Sequence, residues 1–272
     1  WQPAALKEGA AVSDAMHDGR FTVYYQPKID IRTGAVSGAE ALVRGVSEDD
    51  TVILPSQFIE YLEESGTIRE LDFFVLEQSL AQAEQWRSAG LGIIPVAVNL
   101  SRAALLHPST LASILAIQSR YPDIPAEALE LEITERGGGI ETSAFREIVD
   151  RFHACGLRLS LDDFGSQYAN LALFANVKFD TIKMDSSLIA DVVQNPIAQT
   201  LVQDIVQICR THHMNCVAEG VENQMQRDVL LKMGCPYAQG YYYDRPLPAQ
   251  AFEEKYLRRR SSMEQQEAHK EE

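Results

Sequence analysis

The sequence predicts an α/β fold in which strands and helices alternate around a parallel sheet or barrel, with a polar site at one end. Three observations carry that prediction. Strand–helix units follow one another from Ile93 to the end of the apolar pattern, and repeats of that length imply parallel strands. Nearly every strand ends in a polar residue: Glu40, Asn99, Glu132, Asp162, Lys183, Glu219 or Gln239. Finally, 272 residues with 46% hydrophobic content suit one α/β barrel with a large core.

The elements follow in order. Pro3 to Asp18 reads as an amphipathic lead-in helix with Ala5, Leu6, Val12 and Met16 as its apolar points, ended by Asp18-Gly19. Phe21 to Gln26 is a strand of aromatic and β-branched residues, closed by Pro27. Ile29 to Leu42 is hairpin-like, turning at Thr33-Gly34. Pro55-Ser56 caps a short helix through Glu63, and a long helix runs from about Arg69 to Ala89 with Leu71, Phe74, Val75, Leu80 and Trp86 on its apolar side. Strands are then expected at Ile93–Asn99, Leu129–Thr134, Leu157–Asp162, Thr181–Asp185 and Asn215–Glu219. Helices follow them near Ala103–Gln118, Ser143–Cys155, Asn170, Ile197–His213 and Gln224–Met233. Tyr237–Tyr242 is read as a last strand, and Pro248 opens a final helix. Residues 1–13 are assigned to the lead-in segment and 14–257 to the barrel. The charged, apolar-poor tail of 258–272 is expected to be disordered.

The stretch Arg158 to Leu171, RLSLDDFGSQYANL, organises the rest. A short apolar strand runs into two adjacent carboxylates, Asp162 and Asp163, which repel unless protonated or bridged by cations. Alone, the pair reads as a solvated loop before a helix. Its weight comes from the other strand ends. In LELEIT, Leu129, Leu131 and Ile133 alternate with Glu130, Glu132 and Thr134, and in TIKMD, Ile182 and Met184 alternate with Thr181, Lys183 and Asp185. A barrel explains this: one face meets helices and the other lines the mouth. Carboxylates, an amide and a lysine converging there need cations, and hard divalent ions take such oxygens.

Bulk properties exclude several classes. A net charge of −15 argues against a polymeric nucleic acid as partner. No apolar run reaches the length of a membrane span. Cys155, Cys209, Cys216 and Cys235 form no CxxC pair and sit in apolar patterns, as free thiols in a reducing cytoplasm do. The Met-less start is expected to belong to a longer chain with an upstream sensor or receiver domain. The adjacent His212-His213 pair points in directions about 100° apart on a helix and reads as a surface helix end rather than a zinc site. Tyr241, Tyr242 and Tyr243 could stack a base but are expected to pack on the barrel.

Glu40-Ala41-Leu42 within AEALVR, followed by DDFG, IKMD, VAEGVE and AQGYYYDRP, resembles an EAL domain over about residues 14 to 257. These are bacterial phosphodiesterases for the second messenger cyclic di-GMP. The resemblance implies a modified (β/α)8 barrel with one antiparallel strand, two Mg2+ or Mn2+ ions at the mouth, and hydrolysis of one phosphodiester to linear pGpG. It implies that Glu40, Asn99, Glu132 and Asp162 hold the first ion, with Asp162 bridging to a second completed by Asp163 and Glu219. Lys183 resembles the lysine beside the attacking water, and Glu135 the glutamate that anchors the DDFG loop. Gln26, Leu42, Arg44, Asp185, Glu222 and Gln239 resemble substrate-contacting or neighbouring groups. A homodimer and a bacterial cytoplasmic location are also implied. The chain departs from the family pattern at Gly45, where Trp is usual, at Gln167, where Gly is usual, and at Leu188, where Phe is common.

The chemistry stands beside the resemblance. Two ions roughly 3.5–4 Å apart can clamp a phosphate and lower the pKa of a shared water. Lys183 could orient that water or, with a depressed pKa, relay a proton; Glu219 could be base, ligand or both. Arg44 offers a planar fork for phosphate, and Gln26 and Gln239 suit guanine edges. The rival readings are an inactive receptor that binds cyclic di-GMP without cleaving it, and a metal-dependent aldolase or enolase-type barrel.

Overall fold

A computed structural model describes residues 9–134, 141–166 and 171–260. Helix α1 (Gly9–His17) precedes a long hairpin of β1 (Phe21–Asp30) and β2 (Val36–Val46), then a two-residue strand β3 (Val52–Ile53). Helices α2 (Ile59–Ser65) and α3 (Ile68–Ser88) follow, and then β4 (Val96–Asn99), α4 (Arg102–Leu106) and α5 (Thr110–Gln118). The units β5 (Leu129–Thr134) with α6 (Thr142–Ala154) and β6 (Arg158–Phe164) with α7 (Leu171–Asn176) come next. After them lie β7 (Thr181–Met184) with α8 (Ser186–Ala190) and α9 (Pro196–Thr211), and β8 (Asn215–Ala218) with α10 (Gln224–Lys232). The chain closes with β9 (Tyr237–Ala238), β10 (Leu247–Pro248) and α11 (Ala249–Phe252).

Eight strands close a barrel in the order β1-β9-β8-β7-β6-β5-β4-β2, and β2 pairs back onto β1. From β2 through β9 the neighbours are parallel, while β1 runs antiparallel to both β2 and β9. This is the expected modified (β/α)8 barrel with one reversed strand. The reversal follows from the connection: the tight turn after Asp30 makes a hairpin, and a parallel neighbour needs a crossover of a dozen residues or more. Strands β3 and β10 extend the sheet outside the closed barrel.

The outer face of the barrel is apolar and helix-covered. Leu129, Leu131, Ile133, Leu159, Leu161, Ile182 and Met184 are buried there. Helix α3 meets this shell through Ile68, Leu71, Val75, Leu76, Leu80, Ala83 and Trp86, at the spacing of one helix face. Trp86 lies 5.0 Å from Tyr25 of β1 and 5.4 Å from Phe252 of α11, tying the reversed strand to the first long helix and the last. Cys209, Cys216 and Cys235 are buried and Cys155 half-buried, all as free thiols.

Several expected boundaries move, each for a local reason. Strand β1 continues through Pro27 to Asp30. Pro27 faces Ala39, whose N–H donates to Pro95 rather than to β1, so this pair exchanges no ladder bond and the missing proline N–H costs little. The single helix expected near Ala103–Gln118 is two, split at His107-Pro108; His107 is extended (ψ 128°), as the residue before proline prefers. The last strand is only Tyr237–Ala238, and Tyr241 to Tyr243 form a turn. Helix α1 spans the expected boundary at residue 13, with Val12 and Ala15 buried. Arg258 to Arg260 continue the final helix; residues 261–272, Glu135 and Gln167 lie outside the described residues. Among the described residues, no helix is long and apolar enough to cross a membrane.

Candidate functional site

The site is built on the inner face of the barrel at the C-terminal ends of its parallel strands. Because strand side chains alternate, the residues two apart on each strand share that face. Gln26 and Lys28 come from β1, Glu40 from β2, Asn99 from β4, Glu130 and Glu132 from β5, Asp162 from β6, and Thr181 and Lys183 from β7. Their contacts cross the interior between strands that are not sheet neighbours: Lys28 on β1 reaches Glu132 on β5, and Lys183 on β7 reaches Glu40 on β2.

Lys183 is the hub. Its Nζ lies 3.2 Å from Glu40 Oε2, 2.8 Å from Glu132 Oε2, 3.0 Å from Asp162 Oδ1 and 3.0 Å from Glu219 Oε1. Glu40 is held further by Asn99 Nδ2 at 3.1 Å and Gln239 Nε2 at 2.5 Å. Gln239 also donates to Gln26 Oε1 at 3.0 Å, and Gln26 Nε2 donates to the carbonyl of Asp244 at 3.1 Å. The Asn99 side chain gives its NH2 to Glu40, which leaves its amide oxygen as a ligand atom.

Two backbone features aim the remaining carboxylates. Between β6 and β7 the register steps from Leu161–Ile182 to Phe164–Met184, so β6 carries one extra residue. Asp163 is that bulge and takes a left-handed conformation (φ 58°), which swings its side chain to the same side as Asp162. A non-glycine residue there is strained, and such strain collects at functional sites. One oxygen each of Asp162, Asp163 and Glu219 lie within 4.8 Å of one another. Glu219 is placed by its N–H, which donates to Met184 at 3.0 Å, and by the following Gly220 at φ 64°. A Cβ on Gly220 would lie 2.4 Å from that of Ser186, so only glycine fits the turn after Glu219.

The electrostatics are extreme. Glu132 is fully buried (0% exposed), and burial together with the Glu40 charge raises its carboxyl to about 7 despite both lysines. Burial also raises Glu219 well above the usual carboxylate range, outweighing Lys183. At Glu40, burial acts the same way but Lys183, Lys28 and the amide donors win and lower it. Lys183 would lose its proton on burial alone; Asp162, Glu132, Glu219 and Glu40 reverse that and hold it cationic. Asp162 Oδ1 is buried, within ion-pair distance of Lys183, and accepts no hydrogen bond among the described residues. Five carboxylates facing one lysine at the mouth leave excess negative charge. Clustered oxygen ligands and that excess are what a hard divalent cation fits.

A cleft of about 490 Å³ opens beside this cluster, between β2, α2, α3 and α4. Glu40, Asn99 and Asp163 stand at its inner end, and Leu42, Ile59, Leu71 and Leu100 supply apolar wall. Arg44 is buried at its backbone side, donating from Nη1 to the carbonyl of Val43 at 2.8 Å, with its guanidinium 5.7 Å from the Tyr24 ring. Asp185 caps α8, accepting from Ser187 N at 2.9 Å, and Glu222 gives its N–H to Gln226 Oε1 at 2.8 Å. These contacts lie outside the Lys183 cluster. Tyr241 is 54% exposed and carries Arg245 over its ring at 4.2 Å, so it does not pack on the barrel as expected; Tyr243 does. His212 and His213 are exposed at the end of α9, as expected.

Two residues of this network escaped sequence reasoning. Lys28 lies two positions beyond Gln26 on the same face of β1, a signal hidden when the strand was ended at Pro27. Asp72 of α3 is buried and accepts from the N–H of Ser101 at 2.9 Å, fixing the segment that carries Asn99. A lone acid on the apolar face of a helix was the available signal.

Comparison with known proteins agrees with this geometry. The chain is 34% identical over 244 residues to the cyclic di-GMP phosphodiesterase PdeR of Escherichia coli, covering 90% of this chain and 36% of that protein. It is 28% identical over 249 residues to the signaling protein YkoW of Bacillus subtilis, covering 92% and 31%. The chain thus spans about a third of the length of these curated relatives. The solved structure of the phosphodiesterase PaMucR in complex with c-di-GMP superposes with a TM-score of 0.81 at 29% identity, covering 89% of this chain and 97% of that one. The family model for the EAL domain matches residues 10–246, and the chain belongs to that family.

Proposed function

We propose that this domain hydrolyses one phosphodiester of cyclic di-GMP to give linear pGpG, using two divalent ions, Mg2+ or Mn2+. The observation that carries the reading is the convergence of Glu40, Asn99, Glu132, Asp162, Asp163 and Glu219 on one mouth, with Lys183 among them and a cleft alongside. Phosphodiesterase activity in named relatives and a bound cyclic dinucleotide in a structural neighbour support it.

On this reading Glu40, Asn99, Glu132 and Asp162 hold one ion, and Asp162, Asp163 and Glu219 the other. When bound, the ions supply Lewis-acid polarisation of the phosphate and acidify a water between them. The chain's own residues do the rest. Lys183, ringed by carboxylates, orients that water and offsets charge building on phosphorus. Glu219, whose carboxyl burial raises, suits acceptance of the water's proton. Gln239 Oε1 is buried without a partner among the described residues, and Gln239 and Gln26, hydrogen-bonded to each other, are assigned to guanine recognition. Leu42 lines the cleft, and Arg44, two positions on along β2, is assigned the guanidinium fork that meets phosphate. Asp185, Glu222 and Glu135 are assigned supporting roles around substrate and loop.

The test is turnover of cyclic di-GMP by the purified chain across Mg2+, Mn2+ and Ca2+, with product identified by chromatography. Linear pGpG formed with Mg2+ or Mn2+, and abolished in Glu40→Ala and Asp162→Ala, is the expected result. Tight binding without turnover in saturating Mn2+ would make the domain a receptor instead.

A further inference from the structure

Lys28 has no place in the reaction described above, yet it is buried deep inside the barrel (8% exposed) and points at the site. Its Nζ lies 2.8 Å from Glu132 Oε1 and 3.4 Å from Glu130 Oε1. Glu130 is in turn held by Thr181 Oγ1, which donates to its Oε2 at 3.2 Å. The other oxygen of Glu132, Oε2, faces the mouth, 2.8 Å from Lys183. Two lysines from opposite sides of the barrel therefore split the Glu132 carboxylate, one oxygen toward the floor and one toward the mouth.

That split limits how Glu132 can bind a metal. Ca2+ takes about six to eight oxygens and readily accepts a carboxylate through both of its oxygens, whereas Mg2+ demands a near-ideal octahedron of single oxygens. The Lys28 ammonium holds Oε1 from the floor, so an ion at the mouth would reach Glu132 through Oε2 alone, sharing or replacing the Lys183 contact there. We propose that Lys28 is a positioning residue that enforces one-oxygen coordination by Glu132 and thereby makes the centre prefer octahedral Mg2+ or Mn2+ over Ca2+. The inference rests on the reading of Glu132 as a metal ligand. Glu130 and Thr181 are the support that keeps Lys28 in place.

The experiment is calorimetric titration of the whole chain with Mn2+ and with Ca2+, checked for Mn2+ by electron paramagnetic resonance. Lys28→Met alone would leave the buried Glu130 without its cation, so the main variant is Lys28→Met with Glu130→Gln, its folding verified by thermal unfolding. Glu130→Gln alone controls for loss of the lower charge. Lys28→Arg restores a donor to Oε1; a cavity of about 120 Å³ beside Lys28 gives the larger side chain room. In the double variant Mn2+ affinity is expected to fall about ten- to a hundredfold, the scale for losing a group that orients a ligand. Ca2+ affinity should hold or rise, so the Mn2+/Ca2+ ratio narrows by at least about tenfold. Glu130→Gln alone and Lys28→Arg should keep the ratio. An unchanged ratio in a folded double variant, or equal losses for both ions, would overturn the assignment. A wild-type chain that binds neither ion would overturn the metal centre itself, and the role of Lys28 with it.

Discussion

The two faces of the same barrel strands are built on opposite physics. Outside, Leu129, Leu131 and Ile133 of β5 meet helices in a dry apolar shell. Inside, Glu130 and Glu132 of that strand sit in a column of charge that runs from Lys28 to Lys183. The outer face gains from burial and has no directional needs. The inner face loses by burial and is held by ion pairs and amide donors around Lys28 and Lys183, so its geometry is dictated residue by residue. The fold is held by the first face, and the chemistry is drawn from the second.

Perturbing each face should therefore change different quantities. At the inner face, Asp162→Ala removes the carboxylate assigned to both ions. Its kcat for cyclic di-GMP is expected to fall at least about a thousandfold while the thermal transition of the metal-free chain stays cooperative. At the outer face, Trp86→Ala deletes the ring that joins Tyr25 and Phe252, and should cost about 3–5 kcal/mol in denaturant unfolding. Turnover per folded molecule should be unchanged; a parallel loss of kcat would show that the two faces are not separable. Glu219→Gln sharpens the inner face. The amide keeps an oxygen ligand but loses the charge and cannot take a proton, so kcat should fall about a hundredfold, more than Mn2+ affinity falls. A loss of affinity as large as the loss of kcat would leave Glu219 the ligand role alone.

The smallest expected effect lies where the faces meet. Burial pushes the Asp72 carboxyl up from 3.8 to about 6, against the pull of its Ser101 donors. The folded chain thus holds this proton more tightly than the unfolded one. The stability it contributes is fully present below pH 3.8 and is lost as pH rises toward 6. Asp72→Asn removes that loss, so its Tm advantage in metal-free buffer should grow between pH 4 and pH 6, to about 5 °C. A constant difference across that range would remove Asp72 as the source.

The outer face was the more legible of the two from sequence. Alternation of apolar residues placed β5, β6 and β7, the spacing of Leu71, Val75, Leu80 and Trp86 placed α3, and polar strand ends located the mouth. What stayed hidden depended on backbone detail that no periodicity carries. Pro27 looks like a terminator, and only the pairing of Ala39 with Pro95 shows why the strand passes through it and brings Lys28 inside. A strand end that runs past its pleat is expected to bring Asp162 and Asp163 to one centre; the device is instead a bulge at Asp163 with φ 58°, which alternation does not show. His107-Pro108 split a helix that its apolar pattern left continuous. Alternation put Glu130 and Thr181 on the inner face, but their pairing with Lys28 below the mouth was hidden with that lysine.

The most direct measurement of the central claim is the number of Mn2+ ions bound per folded chain at neutral pH, read by calorimetry against the Asp162→Ala variant. Two ions per wild-type chain, with the variant losing affinity at both positions, is the result this structure leads us to expect. A folded wild-type chain that binds no Mn2+ would contradict it, since the acidic cluster at the barrel mouth would then stand without the cations that account for it.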